Sequence, residues 1–311
     1  MKTTYIAMAM LALASGSAFA ALPYSELYKL SGQENTFELV IKANSTKVVG
    51  ADADTKVNIQ SVTVDEAYVA ANENMGEVVF SIGEYTNNGT LAAHYVNVTP
   101  SASYYDDSVG SYVDAVGATV FTNNGVIDLR WTEEDEFWGT TEERVGSLYV
   151  SAGASFTNNG SIYASTIVRG DSTLIAADGC TFNDELWVGI GDSAGSLVVE
   201  GDIAVNGSML CYGGEIVFTE GSSIDMMNNS ISGLENVSLV YQVEYSVDEL
   251  NPITVSDIFV NSKIADTTMI TVKGSDGTSY ETTVGSLTVP EPSTAALSLL
   301  ALAGLAARRR R

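Results

Sequence analysis

Apolar side chains recur at every second position in short runs through the middle of the chain: Ile127/Leu129/Trp131, Leu148/Val150, Leu197/Val199, Ile203/Val205, Ile216/Phe218 and Ile224/Met226. Period two is the strand pattern, because successive side chains leave opposite faces. Asn-Gly and Asp-Gly pairs between the runs predict turns. Strand-like runs also occur at Phe37–Ile41, Val57–Val64 and Val237–Tyr245. Met269–Lys273 and Thr278–Val284 flank Gly274-Ser275-Asp276-Gly277 as a hairpin would. The pattern predicts an all-β protein.

The runs are organised by a repeat. Tyr85-Thr86-Asn87-Asn88-Gly89-Thr90-Leu91, Phe121-Thr122-Asn123-Asn124-Gly125-Val126-Ile127 and Phe156-Thr157-Asn158-Asn159-Gly160-Ser161-Ile162 are near copies, with weaker versions at Phe182-Asn183, Val205-Asn206 and Met227-Asn228-Asn229. Counting Asn159, Asn183, Asn206 and Asn229 as equivalent gives a unit of about 23 residues, a period that predicts a β-solenoid. The longer gaps before Asn124 and Asn159 then hold insertions, at Ser101–Asp114 and Trp131–Arg144. Gly146-Ser147-Leu148-Tyr149-Val150 and Gly195-Ser196-Leu197-Val198-Val199 read as one strand opening used in two coils. Asn suits a corner that needs positive φ, and stacked asparagines about 4.8 Å apart can join their amides into a ladder. The expected fold is a single-stranded parallel β-helix over 85–236, with β-rich caps at 21–84 and 237–288. The alternative is an antiparallel β-sandwich turned by Asn-Gly hairpins. The repeats resemble the passenger β-helices of bacterial autotransporters and adhesins.

The two ends read as addresses. Lys2, the apolar stretch Ile6 to Ala14 and Ala18-Phe19-Ala20 make a signal peptide over 1–20, with its A-x-A cleavage site at Ala18 and Ala20. At the other end, Pro290-Glu291-Pro292 precedes the small or apolar residues Ser293 to Ala307, and Arg308, Arg309, Arg310 and Arg311 follow. As a helix that run would reach roughly 22 Å, short of the roughly 30 Å hydrocarbon core. The arginines would hold the end in the cytoplasm, and the two prolines would keep the preceding segment extended. Residues 289–311 resemble the PEP-CTERM sorting signal of Gram-negative bacteria. The resemblance implies recognition by an exosortase, a membrane cysteine transpeptidase, transient anchoring in the inner membrane, and delivery to the cell surface or extracellular matrix.

Charge narrows the partners. The chain has 14 Lys+Arg and 39 Asp+Glu; setting aside Lys2, the four terminal arginines and Glu291 leaves 9 against 38, a net −29 on the body. That excludes ordinary nucleic-acid binding, which needs a basic surface, and favours divalent or other cationic partners. Export permits a disulfide between Cys180 and Cys211; burial of both as small hydrophobes fits the spacing equally. No metal-ligand spacing of cysteines occurs, and His94 is the single histidine, read as structural.

The densest chemistry is Trp131-Thr132-Glu133-Glu134-Asp135-Glu136-Phe137-Trp138. Tryptophans beside carboxylates can stack on sugars or supply oxygen ligands to Ca2+, while the plain alternative is a solvated acidic loop whose tryptophans cover the core. No nucleophile–base set is identifiable. The expectation is a non-enzymatic structural or adhesive surface protein, contacting extracellular polysaccharide. A β-helix polysaccharide lyase or glycosidase, and a calcium-stabilised surface-layer component, are the alternatives.

Overall fold

The computed structural model describes residues 25–28, 33–42, 46–50, 53–65, 76–106, 109–135, 140–244, 252–254, 258–262, 264–265, 267–286 and 288–290. The signal peptide and the tail from Glu291 onward lie outside the described residues. The described chain is all-β, interrupted by the short 3-10 turns Leu234–Asn236 and Val284–Ser286.

Strand pairing is overwhelmingly parallel, so the antiparallel alternative is not what forms. A nine-stranded parallel sheet runs Ser25–Tyr28, Thr46–Val49, Glu77–Ser81, Tyr95–Thr99, Ser147–Val150, Ser165–Val168, Leu186–Val188, Met209–Cys211 and Ile231–Ser232, in chain order. A larger sheet carries two further rows. The second row includes Thr119–Asn123, Ser155–Asn158, Ser172–Ala177, Gly195–Glu200, Gly214–Phe218 and Val237–Val243. The third includes Val126–Asp128, Ser161–Tyr163, Thr181–Phe182 and Asp202–Val205. Between neighbouring strands of one row the chain visits the other two, which supplies the long crossover that parallel pairing requires.

The rows face one core. Alternate residues of each strand point inward: Val96, Leu148, Leu186 and Met209 from the nine-stranded sheet, Phe121, Phe156, Leu174 and Leu197 from the second row, and Ile127, Ile162, Phe182 and Val205 from the third. All are fully buried. Parallel register repeats each side chain one rung further on. It stacks Phe121 on Phe156 with ring centroids 5.1 Å apart and planes 2° from parallel, while Phe80 meets the edge of Phe121 at 5.0 Å.

The same register aligns the asparagines. Asn87 Nδ2 donates to Asn123 Oδ1 at 2.7 Å, and Asn123 Nδ2 donates to Asn158 Oδ1 at 2.8 Å, in a fully buried column. A second, solvent-facing column runs through the adjacent residues: Asn88 donates to Asn58 at 2.6 Å, Asn124 to Asn88 at 3.0 Å and Asn159 to Asn124 at 2.8 Å. The expected reason for Asn was positive φ, which holds for Asn228 of the weaker Met227-Asn228-Asn229 copy, at φ 68°, and not for the two columns. Their carboxamides bond the next rung, and Asn87 and Asn158 also accept the N–H two residues on, from Gly89 and Gly160. The glycines of the motif answer to close stacking: a Cβ on Gly125 would lie 2.1 Å from Gly89 O, and one on Gly160 2.0 Å from Gly125 O.

Two phase assignments are also corrected. From Phe156 to Leu174, Leu197, Ile216 and Leu239 the second row advances by 18, 23, 19 and 23 residues, so there is no fixed unit of about 23. Corner length sets each step: residues 169–171 join two rows at one level, 189–194 at the next and 212–213 at the next. Asn183 therefore stands level with Tyr163, one row beyond Asn159. It does pair with Asn206, whose Nδ2 donates to Asn183 Oδ1 at 2.7 Å, whereas the Asn229 N–H bonds Met226 O. Likewise Gly146 leads into the nine-stranded sheet and Gly195 into the second row, so their shared sequence marks two different rows.

Both expected insertions are antiparallel hairpins, Ser101–Asp106 with Ser111–Val116 and Arg130–Asp135 with Thr140–Val145. The hairpin Met269–Gly274 with Ser279–Thr283 forms, and its first strand ends the second row on Val237–Val243. In the cap expected over 21–84, the described strands continue the same sheets in parallel. Cys180 and Cys211 are both free and buried, so the bridge left open above does not form. They belong to different rows, Cys180 leading into Thr181–Phe182 and Cys211 ending Met209–Cys211. Burial pushes each thiol up to about 12, which leaves both as small hydrophobes rather than nucleophiles.

Candidate functional site

Three regions could carry function: the acidic hairpin, the outward face of the nine-stranded sheet, and the tail. The hairpin is pinned at its base. Arg130 makes a fork to Asp128, Nε to Oδ1 at 2.8 Å and Nη2 to Oδ2 at 2.7 Å, and its guanidinium lies 4.1 Å from the centre of the Tyr163 ring. Arg130 holds the Asp128 carboxyl below its usual range. Trp131 is half-buried, its ring 4.5 Å from that of His94. His94 is itself buried and accepts the Gly76 N–H at Nδ1, 3.1 Å, which is the structural role expected of it. Trp131 thus packs against the body at His94.

Beyond the base, the register sets Glu133 opposite Glu142, Glu134 opposite Thr141 and Asp135 opposite Thr140. Arg144 pairs with Glu142 at 3.0 Å. Glu136 and Trp138 lie outside the described residues. Among the described residues no group of three His, Cys, Asp or Glu converges as a metal site would need.

The outward face of the nine-stranded sheet was not anticipated from sequence. Register aligns Tyr149, Ile167, Trp187 and Leu210 on four successive strands, alternating with the core residues. The Arg169 guanidinium lies 5.2 Å from the centre of the Tyr149 ring. Trp187 Nε1 donates to Glu185 Oε2 at 2.9 Å, and its ring is 5.5 Å from that of the exposed Tyr212. A signal was present in Leu148-Tyr149-Val150 and Leu186-Trp187-Val188, where an aromatic occupies the position that alternation gives to solvent. Recognising the row required knowing that those strands are two rungs apart in one sheet.

At the far end of this face Glu77 is largely buried and accepts Thr46 Oγ1 at 3.0 Å; burial, outweighing that bond, raises its pKa. The fold therefore binds this proton more tightly than the unfolded chain, and stability falls as pH rises from the ordinary glutamate range through the raised value. Glu77→Gln is expected to flatten that decline, measured as melting temperature from about pH 4 to 8. Parallel curves for both proteins would count against it.

The tail begins in a separate two-stranded sheet. Thr288–Pro290 pairs antiparallel with Pro252–Thr254, Val289 opposite Ile253 and Pro290 opposite Pro252. Pro290 is the last described residue before the apolar run; Glu291, Pro292 and Arg308–Arg311 lie outside the described residues. Among the described residues no helix is long and apolar enough to cross a membrane. Residues 288–311 match the PEP-CTERM protein-sorting motif. That motif marks an exported protein sorted through its C-terminal tail to the cell envelope or surface, and implies recognition by exosortase, a membrane enzyme. No curated protein and no solved structure matches the chain significantly.

Proposed function

We propose that this is a non-enzymatic structural or adhesive protein of a Gram-negative cell surface or extracellular matrix, its body a parallel β-solenoid rod released by exosortase. The sorting motif at 288–311 is the observation that carries the reading. The pairing order supports the rod, because three rows advancing together in parallel register extend along one axis. Such a body presents long ladders of repeated side chains rather than one pocket, and that suits contact with an extended matrix polymer such as a polysaccharide. The strongly acidic composition keeps the rod soluble after release.

The C-terminus of the protein recovered outside the cell tests this directly. Intact mass should show the arginine cluster removed, and deletion of residues 291–311 should abolish processing while the body still folds. Extracellular protein that retains Arg311 would overturn the sorting half. A compact rather than rod-like shape in small-angle scattering would overturn the solenoid half.

A further inference from the structure

The outward row on the nine-stranded sheet is a chemical misfit for its position. An aliphatic outward file also runs through Ile175, Val198, Val217 and Val240 on the second row; here the file carries rings instead, Tyr149 and Trp187 flanking the buried Ile167, with Leu210 on the next strand. Rungs are about 4.8 Å apart, which puts Tyr149 and Trp187 about 10 Å from each other along the rod axis. The file beside them is hydrophilic: Ser147, Ser165, Glu185 and Ser208 occupy successive rungs. The Trp187 Nε1–H to Glu185 bond holds the indole in place, and Arg169 packs over Tyr149.

We propose that this row is a binding platform for a linear, uncharged polysaccharide, with Tyr149 and Trp187 stacking on alternate sugar rings. The inference rests on the adhesive reading above and gives it a site. Width argues for a thin polymer: a row one side chain across cannot supply the roughly 800 Å² per partner that a stable protein interface buries. Charge argues for a neutral one, since a body with a formal net charge of −29 repels polyanions. Sugars offer C–H faces to aromatic rings and hydroxyls to the flanking serines, Glu185 and Arg169, which matches both files at once.

The test uses the full mature protein as recovered outside the cell, with cellulose, xylan and mannan as neutral probes and alginate as an acidic one. Co-sedimentation and tryptophan fluorescence should show retention on at least one neutral polymer. Trp187→Ala and Tyr149→Ala should each weaken it about tenfold, with unchanged circular dichroism, whereas Trp131→Phe should leave it intact. Neutral-glycan binding that survives both aromatic variants would overturn the site while leaving the adhesive reading standing. Preference for alginate, or no retention on any polymer, would overturn the platform; the tail-processing measurement judges the sorting reading independently. Self-association abolished by Trp187→Ala, without glycan binding, would assign the row to a second copy of the chain and overturn the proposal.

Discussion

Asn123→Asp is expected to lower the melting temperature by on the order of 10 °C at neutral pH, while Asn124→Asp, one residue along, changes it little. The two side chains differ in burial more than in bonding. Asn123 is fully buried and is the middle member of its column, accepting from Asn87 and donating to Asn158. A carboxylate there can still accept from Asn87, but it turns a bare oxygen toward Asn158 Oδ1. An unpaired buried charge with a lost donor costs about 3 kcal/mol or more. Asn124 makes the same kind of bond in water, where charge is solvated and the net cost is roughly 0.5–1.5 kcal/mol. The variant also acquires a pH signature. Burial raises the pKa of the new carboxyl, so the protonated form can donate again, and stability recovers as pH falls. Equal losses at the two positions would show that the buried amide column contributes nothing special. Asn158 ends that column, its Nδ2 meeting the Cys180 thiol rather than a further amide.

Phe121→Ala is expected to cost about 3–5 kcal/mol, and Phe121→Leu roughly half of that, in chemical denaturation. Phe121 touches Phe80 edge-on, Tyr85 at a centroid distance of 6.2 Å and Phe156 face to face. Its neighbours cannot close the gap easily. Tyr85 is held by its hydroxyl, whose single proton sits among three carbonyl acceptors, Val49 O, Ser81 O and Ile82 O, and its neighbour Gly50 has no room for a Cβ beside that hydroxyl. Phe156 is fixed by its own rung. Truncation should therefore leave a cavity, and hydrogen exchange should accelerate in the strands Gly83–Ala92, Thr119–Asn123 and Ser155–Asn158 before the more distant rungs. Uniform acceleration along the whole body would instead mean that the rungs unfold as one unit.

Both outcomes bear on what could be seen in the residues beforehand. The three Asn-Asn-Gly copies announced stacked amides because they are identical and evenly placed, and register confirms them as adjacent rungs. The weaker copies misled, because Phe182-Asn183 resembles Phe156-Thr157-Asn158 in composition while occupying a different row. The hairpins at 101–116 and 130–145 could be located as surplus length between copies. The tail was legible outright, since a Pro-Glu-Pro, apolar, arginine order depends on nothing outside itself. The hairpin singled out for its tryptophans and acids turned out to press Trp131 against His94, and the more ordered aromatic row lay elsewhere.

Strand positions, inward faces and the sorting signal are properties of neighbouring residues, and the sequence by itself determined them. Which strand lies beside which was decided only in three dimensions, by corners of unequal length. Those corners place Tyr149, Ile167, Trp187 and Leu210 in one line and send Cys180 and Cys211 to separate rows. Alternation is enforced within a few residues by the pleat of the backbone. Register across some twenty residues is enforced by the fit of whole rungs, through the backbone bonds, stacked rings and glycine contacts that appear only once the rungs meet.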